Sequence, residues 1–310
     1  RAAKDPAAEE ARAARRGARI IAFCDPEYPP PLRNLHDPPL ALYVRGEYTK
    51  ADEQAVAIVG SRRCTMYGRS VTDRLAYQLA RAGLTVVSGL ARGIDVAAHE
   101  GALKADGRTV AVIGSALDQL YPPECAPLAD RIADGRGAVI SEYPMGRMPD
   151  RTTFPYRNRI ISGLAMGVVV VEGDTRSGAM ITAAQALDQG RTVFAVPGRV
   201  DSPASRGPHR LIKEGARLVE DAADIFDELT SLRPVLGPAS APAAVASPLP
   251  FRFNEQEAKI VEALREGPVD ADTLSRRTGI PAAALGALLI GLEMKHVVRM
   301  LPGRLVELAV

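Results

Sequence analysis

Residues 154–184 read FPYRNRIISGLAMGVVVVEGDTRSGAMITAA. The run Gly167 to Val171 is apolar and β-branched with no polar alternation, the pattern of a strand covered on both faces. Its exit, Glu172-Gly173-Asp174-Thr175-Arg176-Ser177-Gly178, leads into an alanine-rich helix from about Ala179. Strand, glycine-bearing turn and helix in that order are the building unit of a parallel α/β sheet. Just upstream, Phe154-Pro155-Tyr156-Arg157-Asn158-Arg159 holds two arginines, two aromatics and no acid, so its local field is positive. In open parallel sheets ligands bind outside the carboxyl ends of the strands, where helix N-termini offer unpaired N–H groups to phosphate. The stretch predicts a rim suited to a polyanion that carries flat rings, with nucleic acid as the first hypothesis.

Working outward, further strands are expected at Val56 to Val59, Leu84 to Val87, Thr109 to Ile113, Ala138 to Ile140 and Thr192 to Val196, with a weaker one near Arg217 to Val219. Amphipathic helices fall between them. In Arg69 to Ala82, for example, Val71, Leu75, Leu79 and Ala82 keep helical spacing and Gly83 ends the helix. The alternation predicts an α/β fold, a Rossmann-like doubly wound and mostly parallel sheet over residues 19–230. Residues 1–18 read as the tail of a helical element. The prolines of Tyr28 to Leu35 and Asp37 to Gly46 predict an ordered connector that ends in a short strand.

Residues 231–252 are rich in Pro, Ala and Ser and read as a linker. Beyond it, residues 253–310 suggest three helices, Glu255 to Arg265 capped by Asn254, Ala271 to Thr278, and Pro281 to about Lys295. A hairpin of Val297 to Leu301 and Leu305 to Leu308 around Pro302-Gly303-Arg304 follows. Three helices and a hairpin make a winged helix-turn-helix.

Composition narrows the function classes. The net charge of +2 is the difference between 39 basic and 37 acidic residues, so attraction to a polyanion has to come from local clusters. Cys24, Cys64 and Cys125 lie far apart without CxxC pairing, which fits a reducing cytoplasm and gives no disulfide framework. His36, His99, His209 and His296 are equally scattered with no HExxH spacing, so no metal is expected. No apolar run approaches the ~20 residues that span a bilayer, and no membrane partner is expected.

Two more strand exits carry chemistry. Gly60-Ser61-Arg62-Arg63-Cys64-Thr65-Met66-Tyr67-Gly68 offers small residues for close phosphate approach and arginines for charge. It lacks both GxGxxG and GxxxxGK[ST], so neither a dinucleotide cofactor nor an ATP loop is supported, and no cofactor is expected. Ser88-Gly89-Leu90-Ala91-Arg92-Gly93-Ile94-Asp95 again sets glycines and an arginine at a strand end, with Asp95 expected as an N-cap. His99 reads as a hydrogen-bonded buried histidine rather than a base. A Ser88/His99/Asp95 triad has no GxSxG pattern to support it.

Taken together, GSR at Gly60 to Arg62, SGLARGID at Ser88 to Asp95 with AAH at Ala97 to His99, LDQLYP at Leu117 to Pro122, ISEYP at Ile140 to Pro144, FPYRNRIISGL at Phe154 to Leu164, SGAMITA at Ser177 to Ala183 and VPG at Val196 to Gly198 resemble the DNA-processing protein A family, DprA, also called Smf. The resemblance runs from about Tyr28 to Leu229 with seven motifs in order. It implies a cytoplasmic, non-enzymatic single-stranded DNA-binding protein of natural transformation and recombination. Such a protein protects incoming strands, loads the recombinase RecA, eases displacement of single-strand-binding protein, and works as a homodimer.

Carried over by motif, Gly60, Ser61 and Arg62 would contact phosphate, and Phe154, Arg157, Asn158 and Arg159 would line the pocket. Ser177 and Gly178 would lend N–H groups, Gly89 and Arg92 are further candidates, and Leu211, Ile212 and Leu218 would form the dimer contact. The N-terminal residues resemble the end of a SAM-like helical domain. Physically, a single strand exposes phosphates and bases together, so cations beside stacking planes suit it. Phe154 is the best stacking candidate. An alternative for Arg157 and Arg159 is salt-bridging to sheet acids such as Glu142 or Glu172.

Two other function classes compete. The sheet domain more distantly resembles the lysine-decarboxylase-like phosphoribohydrolases, but GDTRSGAMITA at Gly173 to Ala183 has no glutamate for general-base work on a ribose. A duplex-reading regulator is disfavoured because residues 281–295 include one Lys, one Glu and no Arg, Asn or Gln to read base edges.

Overall fold

The computed structural model describes residues 5–231, 255–264, 269–281, 285, 288, 289, 292, 298–301 and 305–308. The chain divides into two compact units, Arg1–Val245 and Ala246–Val310. In the first, α1 (Pro6–Ala14), β1 (Ala18–Ala22), α2 (Pro30–Arg33) and β2 (Ala41–Gly46) precede a strand and helix alternation. That alternation runs β3 (Ala55–Val59), α3 (Met66–Arg81), β4 (Thr85–Ser88), α4 (Ile94–Lys104), β5 (Thr109–Ile113), α5 (Ala126–Ala133), β6 (Gly137–Ser141) and α6 (Thr153–Leu164). It continues through β7 (Gly167–Val170), α7 (Gly178–Asp188), β8 (Thr192–Ala195), α8 (Arg206–Lys213), β9 (Arg217–Leu218) and α9 (Ala222–Ser231).

The strands form one nine-stranded sheet in the order β1-β2-β6-β5-β4-β3-β7-β8-β9. From β6 to β9 every neighbour is parallel, while β1 and β2 add an antiparallel edge. The expected α/β sheet is therefore present, with β1 as an addition. Its Ala-Arg-Ile-Ile-Ala is short, and pairing with β2 rather than intrinsic pattern makes it a strand.

Both faces of the parallel strands are covered, which is why they read as unbroken apolar runs. Ala57, Val59, Val168 and Val170 pack with Ile160, Ile161, Leu164 and Ala183 of α6 and α7 on one side. Val56, Ile58 and Val169 pack with Leu75 and Leu79 of α3, Ala98 of α4 and Ile225 of α9 on the other. Successive strand residues alternate between the two clusters, as the pleat requires. The strand order reverses between β3 and β7: β4, β5 and β6 lie to one side of β3, and β7, β8 and β9 to the other. That reversal is where a doubly wound sheet opens a crevice at its carboxyl edge.

The second unit holds α10 (Glu255–Ala263), β10 (Val269–Asp270), α11 (Ala271–Thr278), β11 (Val298–Leu301) and β12 (Leu305–Leu308). Its strands order as β10-β12-β11, with β11 and β12 antiparallel and Leu301 opposite Leu305. Asp270 caps α11 by accepting from the Thr273 N–H (2.9 Å), and Gly279 leaves it in the left-handed region at φ 68°. Ile260, Leu274, Ile280, Leu292 and Val306 share one small core. The expected linker from residue 232, the Asn254 cap, the Pro302-Gly303-Arg304 turn and most of the helix expected over residues 281–295 lie outside the described residues.

Candidate nucleic-acid interface

A cleft of about 830 Å³ opens at the reversal point between β3 and β7. The loop after β3 (Gly60 to Arg63), the N-terminal turns of α6 with the turn before them, and the N-terminus of α7 supply most of its walls, and Ala91, Asp95 and Tyr121 reach in from beyond β4 and β5.

The β3 loop is locked from below. Glu172, buried just past β7, accepts from the Thr65 N–H (2.8 Å) and the Thr65 hydroxyl (2.5 Å), while Thr65 itself caps α3 through the Gly68 N–H (3.1 Å). Both oxygens of Glu172 are thus engaged in holding one strand exit to the other. Gly60 must be glycine, because a Cβ there would stand 2.6 Å from Ile94 Cγ1. The Ile94 N–H donates to the Ser61 carbonyl (3.2 Å), so the β3 and β4 exits are tied together. On this fixed base Arg62 and Arg63 are exposed and, among the described residues, form no salt bridge.

The opening stretch of sequence behaves differently from a rim. Phe154 to Arg159 are the first turns of helix α6, started by Asp150, whose carboxylate accepts from the Thr152 (2.8 Å) and Thr153 (3.0 Å) N–H groups. Pro155 is tolerated there because first-turn N–H groups have no helical partner. Phe154 is partly exposed on the cleft wall. The Arg62 guanidinium lies 5.0 Å from its ring centre, and the Tyr121 ring is 5.9 Å away. Tyr121, 43% exposed, was not singled out as a site residue in the sequence. Its neighbourhood with Phe154 comes from a chain separation that local pattern does not reveal. Arg151, in the turn before α6, also enters the cleft wall without any motif to announce it, whereas Arg63 sits in the strand exit already read as basic.

Residues two apart on a helix point to nearly opposite sides, and Arg157 and Arg159 obey this. Arg157 is buried at the cleft floor. Its Nη1 donates to the carbonyls of Gly89 (2.7 Å) and Val112, joining α6 to the ends of β4 and β5. Burial pulls its guanidinium down to about 10, with the Asp95 carboxylate opposing. Arg159 does not line the cleft. It forks onto Glu142 (2.9 and 2.6 Å), donates to the Asp37 carbonyl (3.1 Å) and stacks 4.0 Å over the Tyr156 ring. The sheet-acid alternative thus describes Arg159, through Glu142, whereas Glu172 serves Thr65.

Asn158 does line the cleft and donates to the Gly178 carbonyl (3.3 Å). At the α7 N-terminus the space beside Gly178 is open. Among the described residues the Ser177 hydroxyl is buried there without a hydrogen-bond partner and makes no cap bond. Gly89 is buried rather than exposed to a ligand. A Cβ on it would stand 2.7 Å from Asp95 Oδ2 and 2.8 Å from Arg157 Nη2. Arg92 lies outside the main cleft, paired with Glu124 on the surface.

Asp95 sits inside α4 rather than at its cap, which is Gly93, and its carboxylate accepts from the Ala91 N–H (3.2 Å). Burial pushes it up to about 6, held down in part by Arg157. His99 is fully buried, with Nδ1 2.7 Å from the Thr109 hydroxyl. That hydroxyl donates onward to the Val86 carbonyl, so Nδ1 carries the proton. Burial drives the ring down to about 3, so it is neutral. Of the expected dimer residues, Leu211 belongs to the sheet core, Ile212 packs beside it, and Leu218 is exposed on β9. Among the described residues no His, Cys, Asp and Glu cluster could hold a metal, and no helix is long and apolar enough to cross a membrane.

A doubly wound sheet whose switch-point cleft sets arginines without salt bridges among the described residues beside an aromatic pair defines the class: an α/β protein with a basic, aromatic-lined cleft. A family model described as DNA recombination-mediator protein A matches residues 19–230, and one described as the DprA winged helix domain matches 238–304. The chain belongs to the DprA family. It is 44% identical over 214 residues to the DNA processing protein DprA of Bacillus subtilis, covering 69% of this chain and 72% of that protein. It is 40% identical over 285 residues to the Smf protein of Escherichia coli, covering 91% and 75%. The crystal structure of Streptococcus pneumoniae DprA is similar with a TM-score of 0.66 at 40% identity, over 70% of this chain and 77% of that one. A Helicobacter pylori DprA structure that addresses that protein's single-stranded DNA binding mode is similar with a TM-score of 0.61 at 32% identity, over 68% and 96%.

Proposed function

We propose that this protein binds single-stranded DNA in the cleft between β3 and β7 and acts, without catalysis of its own, in natural transformation and recombination. The observation that carries this is one wall of the cleft: unpaired Arg62 and Arg63 beside the Phe154 and Tyr121 rings. Phosphate needs the first and an unpaired base the second. Gly60, Ser61 and Arg62 take backbone phosphate, Asn158, Ser177 and Gly178 offer hydrogen bonds, and Phe154 stacks a base. Arg157 contributes charge from beneath and holds the floor. The similarity to the Helicobacter pylori protein supports the same ligand class.

Membership of a family described as a recombination mediator supports the finer reading. In it, a cytoplasmic homodimer, joined near Ile212 and Leu218, loads RecA onto bound strands and eases displacement of single-strand-binding protein. A hydrolase reading gains nothing from the site, since Glu172 is engaged by Thr65 and His99 is buried and neutral. The test is anisotropy of labelled oligo-dT with Arg62→Glu against the parent. Loss of binding with an unchanged melting temperature is expected, and parental affinity in the variant overturns the cleft assignment. RecA-dependent strand exchange on oligonucleotide pre-coated with single-strand-binding protein checks the loading role.

A further inference from the structure

A second cleft, of about 350 Å³, lies beside the first on the β4 and β5 side of the sheet edge. Arg69 of α3, Arg92 of the β4 exit and Arg131 of α5 surround it, and Val96, Pro127 and Leu128 give it an apolar lining. Its acids are Glu100 and Glu124. Three arginines against two glutamates leave one positive charge in excess. Arg131 carries no salt bridge among the described residues. Arg69 reaches Glu100 only at 3.7 Å, and the Arg92–Glu124 pair is solvent-exposed on both sides. Exposed pairs of this kind contribute about 0–1 kcal/mol each, so a phosphate can compete for their arginines.

The two clefts are joined by residues rather than by open space. A crevice of about 30 Å³ between them is lined by Arg62, Tyr121 and Phe154 from the first cleft and by Arg92 from the second. It is too small to hold a nucleotide. A strand leaving the main cleft would have to cross over the exposed edge of Tyr121, and the next cation it meets is Arg92.

We infer that single-stranded DNA continues past the main cleft over Tyr121 and Arg92 into a second subsite, where Arg69 and Arg131 bind its phosphates. This rests on the proposed function of the main cleft and adds a direction and a length to it. Arg131 and Arg69 lie on exposed helix faces, away from the sheet core, so their truncation leaves the fold in place.

The experiment compares the full chain with Arg69→Ala/Arg131→Ala, using oligo-dT of about 4 nucleotides, at the short end of single-strand site sizes, and of about 20 nucleotides, which reaches further. The parent is expected to bind the longer strand more tightly. The double variant should keep parental affinity for the short strand and lose the gain on lengthening. Its salt dependence with the long strand should be shallower by about 1.4 in log K against log salt, two phosphates at about 0.7 each. Arg131→Ala alone should show half that change, which guards against a folding defect in the double variant. If the variant gains from length as the parent does, the second subsite is wrong and the main cleft stands. Failure of the parent to bind either strand overturns the proposed function and this inference with it.

Discussion

Gly89 and Arg157 share one space: the guanidinium Nη2 of Arg157 lies 2.8 Å from where any Cβ on Gly89 would be, and the Gly89 carbonyl accepts from Nη1 at 2.7 Å. The glycine at the end of β4 is there for the arginine to enter, rather than for a ligand to approach. The cleft floor is therefore a piece of the protein core.

Gly89→Ala should therefore destabilise the fold. Its methyl group would press on both Arg157 and Asp95, each fully packed, and overpacking of this kind costs about 1–3 kcal/mol. Urea unfolding should show a lower midpoint at unchanged slope. An unchanged midpoint would mean that the floor relaxes freely.

Arg62 and Arg157 should separate under charge reversal. Arg62→Glu puts a carboxylate on an exposed loop and should abolish oligo-dT binding at parental stability. Arg157→Glu puts one beside buried Asp95 and leaves the Gly89 and Val112 carbonyls without their donor. An uncompensated buried charge costs about 3–5 kcal/mol, so this variant should be unfolded or nearly so at 37 °C. Circular dichroism melts distinguish the two. A well-folded Arg157→Glu protein would show that Arg157 is a surface contact.

That contrast marks where sequence reading stops. The strands were legible because Val168, Val169 and Val170 are covered on both faces and leave no polar alternation to confuse the pattern. The strand-exit loops at Gly60 and Ser177, which the fold brings into one cleft, were legible from their small residues. In FPYRNR the charge was visible but its direction was not. Once the segment is a helix, Arg157 and Arg159 face opposite ways, and only the fold says which side meets the sheet. Glu142 was one of two candidate acids for Arg159, and only the fold selects it over Glu172; Tyr121, the neighbour of Phe154, reaches the cleft from the β5 exit, so no local spacing announces that contact.

Arg159 should therefore behave as a structural residue. Its guanidinium is satisfied by Glu142 and Asp37 and lies outside the cleft. Arg159→Met should lower stability by about 3 kcal/mol, since Glu142 is left half-buried and unpaired. Short oligo-dT affinity, measured well below the melting transition, should stay within about twofold of the parent. A large affinity loss in a still-folded variant would return Arg159 to the binding surface. Arg159→Met/Glu142→Leu, which removes both charges, should recover much of the stability.

Phe154→Ala should weaken binding without unfolding the protein, because the ring is partly exposed and one face meets Arg62. Loss of one stacked base is worth about 1–3 kcal/mol, or roughly five- to over a hundredfold in Kd. Phe154→Tyr should bind like the parent. If both variants bind alike, the wall is electrostatic only.

Binding should also strengthen on acidification, and Asp95 sets the window. Burial pushes its carboxyl up to about 6, whereas an unfolded aspartate titrates near 3.9. Between these values the native state holds a proton that the unfolded state lacks. The stability contribution of this one group therefore falls as pH rises through about 4 to 6. In the same window protonation removes a negative charge facing Arg157 and Arg62, while DNA phosphodiesters keep theirs and His99 stays neutral because its ring titrates near 3. The cleft thus gains one net positive charge between pH 7 and pH 5. Oligo-dT affinity should rise roughly fivefold, the size of an interaction of about 1 kcal/mol between charges in high dielectric. Asp95→Asn removes the titrating group and keeps its shape, so its affinity should match the acid-pH parent and change little over the same range. A parent whose affinity is flat from pH 7 to pH 5, or an Asp95→Asn protein that retains the full pH response, would place the titrating group elsewhere.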